Sequence, residues 1–272
     1  MKYAICNETF GDWDFARACG VAAEHGYRGI EIAPFTLGPS AAEVSAPRRR
    51  ELRRQAEDAG LAIIGLHWLL AKTEGMQVTA SDPAVRRRTV DYLGALARLC
   101  RDLGGQVMVF GSPQQRRVPA GCTREQAAEF ALATFAAVAP VLDECGVTLA
   151  LEPLAPAETD FLNSCAEAAA LLDRLCHPRF ALHLDVKAMG SESESIPKLI
   201  KRFAARTVHV HANDANRRGP GFGDVDFRPI LRALNDSGYA GWISVEVFDY
   251  TPDPVTIARE SIRYLQSCEP EA

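Results

Sequence analysis

The stretch that decides the fold runs from residue 107 to residue 152. It reads Val107-Met108-Val109-Phe110, a polar connection from Ser112 to Cys122, a long helical stretch Thr123–Cys145, Gly146, and then Thr148-Leu149-Ala150-Leu151-Glu152. Short, continuously apolar runs without alternation suit strands buried on both faces, as in a parallel sheet. The helix between them is the crossover that two parallel neighbours require. Gly146 stands just past that helix, where a left-handed closing residue is expected. Working outward, the same unit recurs. Further strands are expected at Tyr3–Cys6, Gly29–Ile32, Ala62–His67, Ala181–Asp185, Val208–His211 and Ile243–Val247. Helices are expected at Trp13–His25, Ala41–Ala59, Pro83–Leu103, Cys165–Cys176, Ile196–Phe203, Phe227–Ser237 and Pro254–Gln266. Asp82-Pro83 is a cap followed by a first-turn proline, and Gly26, Gly60, Gly104 and Gly238 each follow a helix. Eight βα units in 272 residues favour an α/β fold of one closed (β/α)8 TIM barrel, a single domain over 1–272, rather than an open doubly wound sheet. No G-x-G-x-x-G follows the first strand, so a nucleotide-binding sheet has no phosphate cradle. The connections 34–40, 68–81, 112–122, 153–164 and 213–226 would then share the C-terminal face, where barrel enzymes place their chemistry.

Composition narrows the partners. Apolar residues make up 47% and charged residues 24%, with a net charge of −5, values of an ordinary soluble chain. The basic runs Arg48–Arg50 and Arg86–Arg88 fall in helical stretches and read as solvated faces. Nucleic acid is not an expected partner, since its binders carry a basic stripe and a high pI. No apolar run approaches the ~20 residues of a membrane span, and the N-terminus shows no signal-peptide core. Eight cysteines are scattered without a C-x-x-C pair, so disulfides are not expected and the chain reads as reduced and cytoplasmic.

Four metal-competent residues close four consecutive strands: Glu152 after Leu151, Asp185 in His183-Leu184-Asp185, His211 in His209-Val210-His211, and Glu246 in Ser244-Val245-Glu246. Several carboxylates at one barrel mouth repel unless something positive sits among them. One divalent cation removes that repulsion, and three carboxylates with one imidazole suit Mn²⁺, with Mg²⁺ or Co²⁺ next. His183 and His209 lie two residues before Asp185 and His211, on the same side but deeper, where outer-shell partners of metal ligands belong. His67-Trp68 at the third strand's end is placed to wall a pocket at the barrel mouth.

The segment Ala150-Leu151-Glu152-Pro153-Leu154 with Glu158-Thr159-Asp160-Phe161-Leu162-Asn163 resembles ketose 3-epimerases of the D-tagatose/D-allulose type, within the xylose-isomerase-like barrel superfamily. The likeness continues through Leu184-Asp185, His211 with Asn216-Arg217-Arg218, Pro220-Gly221, Gly223 and Glu246. The first half is similar only through Gly29-Ile30-Glu31-Ile32 and the barrel pattern. The resemblance implies that Glu152, Asp185, His211 and Glu246 hold one metal ion. It implies that Glu152 and Glu246 are the catalytic acid/base pair, acting on opposite faces of an enediolate that the metal stabilises, and that Glu158 and Arg217 hold the substrate's hydroxyls. His67 and Trp68 join them as expected substrate contacts, and relatives commonly pair their barrels into homodimers or larger assemblies. One departure stands out: the family's histidine three residues after the aspartate is Ala188 here, and the adjacent Lys187 is expected to point elsewhere.

The leading expectation is therefore a sugar isomerase or epimerase. The same residues could instead eliminate the aglycone of a 3-keto-glycoside. An endonuclease-IV-like enzyme is opposed by the acidic charge and only six histidines, because phosphate binding needs positive charge. A barrel that binds without turnover would rest on Ala188 alone.

Overall fold

The computed structural model describes residues 1–38 and 40–270; Pro39, within the expected 34–40 connection, and the last two positions of the expected domain lie outside them. Eight parallel strands close on themselves in sequence order. They are β1 Lys2–Cys6, β2 Gly29–Ile32, β3 Ala62–Leu66, β4 Val107–Phe110, β5 Thr148–Leu151, β6 Phe180–Asp185, β7 Thr207–Ala212 and β8 Trp242–Val245, with β1 and β8 paired from Lys2–Trp242 to Ile5–Val245. The fold class is the expected TIM barrel. Around it stand α1 Phe15–Glu24, α2 Ala46–Asp58, α3 Pro83–Leu103, α4 Arg124–Cys145, α5 Cys165–Leu175, α6 Val186–Met189, α7 Ile196–Phe203, α8 Phe227–Asp236 and α9 Pro254–Ser267.

Capping chemistry sets the helix bounds. Asp14 accepts from the Ala16 and Arg17 amides, so α1 starts two residues later than the apolar pattern suggests. The expected helix Ala41–Ala59 is broken: Ala41–Glu43 forms one 3-10 turn, and α2 begins only after Ser45 caps it, with Pro47 in its first turn. In a helix's first turn the amide that proline lacks would have no intrahelical partner anyway. Thr123 and Gln126 cap α4 reciprocally, each satisfying an amide that the helix leaves free. The helix α6 was not expected.

The barrel interior is unusual in being polar. Layers of Val, Ile and Leu ordinarily fill such a barrel. Here Cys6 pairs across to Glu31 and His183 to His209, while His211 lies between Asp185 and Ser244. All seven are buried. Because side chains alternate along a strand, His183 with Asp185 and His209 with His211 form two stacked tiers, with Asp185 and His211 at the mouth.

Candidate active site

The site residues sit where the parallel ladder ends. The Glu152 amide still donates to Phe110 O and the Glu246 amide to Ala212 O, both at 3.2 Å, so each carboxylate is launched from a fixed backbone. Gly111 makes room for the first of them. A Cβ there would lie 2.2 Å from Glu152 Oε2. Arg116, fully buried, donates to Glu152 O at 2.7 Å and Phe110 O at 2.6 Å, clamping the same turn.

Ligand atoms of Glu152, His183, Asp185 and His211 all lie within 4.8 Å of one another. Glu246 joins from the β8 side. Its Oε2 is 3.2 Å from His211 Nδ1, and Asn213 Nδ2 donates to Glu246 Oε2 at 3.3 Å and to Asp185 Oδ2 at 2.5 Å. All five are buried. Asp185 also caps α6, accepting from the Ala188 amide at 2.6 Å, so one oxygen is held by the helix while the other turns to Asn213. His211 Nε2 donates to Glu31 Oε2 at 3.2 Å, and His209 Nε2 donates to the same oxygen at 2.8 Å. A carboxylate can only accept, so the contact fixes the proton on Nε2 and leaves Nδ1 free for a ligand, the arrangement of histidines that bind metals.

The electrostatics ask for a cation. Burial, then the charges of Asp185 and Glu246, push the Glu152 carboxyl well above the usual range. Burial and Glu246 raise Asp185. Burial would raise Glu246 too, but His211, His67 and the Trp68 N–H outweigh it and hold that carboxyl low. The donor set fits a divalent metal by a second measure: His211 Nδ1 and both ring nitrogens of His183 are buried without a hydrogen-bond partner. Unpartnered buried polar atoms are costly, and a cation among these oxygens and nitrogens would relieve His211 Nδ1 and one nitrogen of His183.

The expected substrate contacts are distributed differently. Trp68, at φ 51°, donates through Nε1 to Glu246 Oε1 at 2.8 Å and packs between Phe35 and Phe248. It borders a cavity of about 730 Å³ that also touches Glu8, Trp13, Phe35, Lys72 and Tyr250. His67 is fully buried, with Nε2 donating to Glu8 Oε2 at 2.8 Å, and it does not line that cavity. Arg217 is exposed, at φ 71°, with its guanidinium 5.8 Å from the Phe248 ring centre. Lys187 does not point away. Its Nζ meets both oxygens of Glu158 at 3.0 Å and lies 5.1 Å from the Phe248 ring centre, because the short helix α6 turns it back over the barrel mouth. Glu31, Glu8, Gly111, Arg116 and Asn213 were not singled out as site residues from the sequence. A glycine directly after an apolar strand was the one available signal, for Gly111.

Several known proteins are similar to this chain. An L-ribulose 3-epimerase from Mesorhizobium japonicum is 33% identical over 175 residues, 63% of this chain but only 58% of that enzyme's length. An L-ribulose 3-epimerase from a Methylomonas species is 28% identical over 247 residues, covering 88% of this chain and 81% of the relative. The solved structure of a 3-keto-D-glucoside 4-epimerase from Escherichia coli superposes with a TM-score of 0.86 at 18% identity, over 98% of this chain and all of that one, a likeness of fold. Residues 19–268 match the model of the xylose isomerase-like TIM barrel, and the chain belongs to that family.

Proposed function

We propose that this protein is a metal-dependent carbohydrate epimerase that inverts carbon 3 of a ketose, with Glu152 and Glu246 as its acid/base pair. The observation that carries the reading is the placement of two buried glutamates, just past the ends of β5 and β8, around one cation-ready cluster. Two carboxylates that reach a substrate carbon from different sides can take a proton from one face and return it to the other. The names of the Mesorhizobium and Methylomonas relatives support the substrate class.

Glu152, Asp185, His211 and Glu246 would hold one divalent ion, with Mn²⁺ proposed because oxygen ligands predominate. When bound, it supplies Lewis acidity to the oxygens of the substrate carbonyl and its neighbouring hydroxyl. Glu246, which accepts the Trp68 Nε1–H at 2.8 Å, removes the proton from the carbon beside the carbonyl. Glu152 relays a proton taken up from solvent to the opposite face, which inverts the centre, and the proton left on Glu246 exchanges with solvent to reset the pair. Glu158, Arg217 and Trp68 hold and orient the sugar, with Trp68 and Phe248 excluding water from one side. The strand closure from β1 to β8 supports one barrel domain as the working unit.

Turnover of ketoses such as D-fructose and D-allulose in D2O tests this directly. The epimer formed should carry one deuterium at carbon 3, and absence of both epimer and exchange across a ketose panel would sink the proposal. A second reading, elimination from a 3-keto-glycoside by the same glutamates, is favoured by the cavity of about 730 Å³ beside Trp68. Release of an aglycone rather than an epimer selects it.

A further inference from the structure

Beside the Glu152–His211 cluster lies a second group of ligand-type side chains, to which the proposed reaction assigns no ion. Cys6, Glu31 and His67 offer a sulfur, an oxygen and a nitrogen all within 4.8 Å of one another, and the residues are 0%, 1% and 0% exposed. Two of these donors have no hydrogen-bond partner: Glu31 Oε1 and His67 Nδ1, which face each other at 3.9 Å. That gap is too long for a hydrogen bond. It is short enough for both atoms to reach one ion at the ~2.0–2.2 Å of zinc bonds to nitrogen and oxygen.

His67 is also prepared as ligands usually are. Its Nε2 donates to Glu8 Oε2 at 2.8 Å, which fixes the proton there and leaves Nδ1 aimed at Glu31. This is the carboxylate–histidine pairing that orients metal-bound imidazoles, and it repeats the Glu31–His211 pairing of the first site. Charge points the same way. Five carboxylates around the axis, Glu8, Glu31, Glu152, Asp185 and Glu246, are at most 7% exposed, and among the described residues the one guanidinium buried with them is Arg116. One divalent ion brings the positive charges to three against five. A second brings them to five, against six once the Cys6 sulfur is ionised.

We propose that Cys6, Glu31 and His67 form a second metal site inside the barrel, for a zinc-like divalent ion. Sulfur, nitrogen and oxygen donors together suit such a borderline-soft ion better than Mn²⁺ or Mg²⁺. On binding, the Cys6 thiol gives up its proton to solvent and its sulfur becomes a thiolate ligand. The competing source of positive charge is a protonated His67 held between Glu8 and Glu31, with no ion present.

The full-length protein, stripped of metal and titrated with Co²⁺ alone, distinguishes the two. Two equivalents should bind per chain, and a thiolate-to-cobalt charge-transfer band should grow in the near ultraviolet. Cys6→Ser should keep one equivalent and lose the band, while Glu152→Gln should weaken the other site and keep it. Wild-type protein that binds Co²⁺ without the band overturns the second site and leaves the first untouched. One equivalent with the band upholds the second site and fails the first. A band that survives Cys6→Ser assigns the sulfur elsewhere and overturns the proposal; where that variant does not fold, the wild-type titration alone decides.

Discussion

Glu152 carries two opposed demands at the residue scale: burial and its neighbours Asp185 and Glu246 favour the neutral acid, while metal ligation needs the carboxylate. Replacing it by Gln removes one charge from that repulsion. Glu152→Gln should therefore lose activity by about 10²–10⁴-fold, the usual worth of a positioned acid or base, while the metal-free variant melts no lower than the metal-free parent. Glu246→Gln should lose activity to a similar degree, and steady-state kinetics beside melting curves in chelator check both. Gly111→Ala tests placement without touching charge. Its methyl would need the space of Glu152 Oε2, 2.2 Å away, so the carboxylate must swing aside. Activity and metal affinity should fall at least about tenfold, the lower end of what outer-shell disruption costs, with the far-ultraviolet circular dichroism unchanged.

At the scale of elements, the ends of strands matter more than their middles, and this is also where the sequence was most and least legible. Strands β2 and β4 and helices α3 and α7 lie on the residues expected of them, because apolar runs, Asp82-Pro83 and helix-closing glycines are local signals. The acids and histidine closing β5 to β8 were legible for the same reason: a charged residue at the end of an apolar strand is a local oddity. Lys187 was not. Its reach to Glu158 depends on a four-residue helix too short to show a period, and on a partner 29 residues away. Glu31 and Cys6 were passed over because their meaning lies in His67, His209 and His211, which only closure of the barrel brings around them. The turn after β3 gives this scale its prediction. Trp68 Nε1–H is one of the groups holding Glu246 below the usual carboxylate range. Trp68→Phe keeps an aromatic ring there and deletes that donor, so Glu246 should become harder to ionise. The acidic limb of the pH–kcat profile should move to higher pH, with a smaller effect at alkaline pH; an unmoved limb would separate Trp68 from the base.

For the whole molecule, the buried carboxylates make folding and metal binding one equilibrium. A cation that binds only the folded barrel stabilises it by about 2.7 kcal/mol at a hundred times its dissociation constant. In a chain of this size each kcal/mol moves the Tm by roughly 2–4 °C, so saturating Mn²⁺ should raise the Tm by about 5–10 °C over chelated protein. The pH dependence has a definite sign. In the absence of metal, Glu152 and Asp185 are raised by burial and by neighbouring carboxylates. An acid whose folded pKa lies above its unfolded value stabilises the fold below the unfolded pKa, and loses that contribution as pH rises through the folded one. Metal-free protein should therefore weaken as pH climbs from the usual carboxylate range toward those raised values. Metal-loaded protein, with the same oxygens ionised as ligands, has no such loss. The difference in Tm between loaded and chelated protein should widen with rising pH, as scanning fluorimetry across a pH series would show; a constant difference would mean that these carboxylates do not carry the metal.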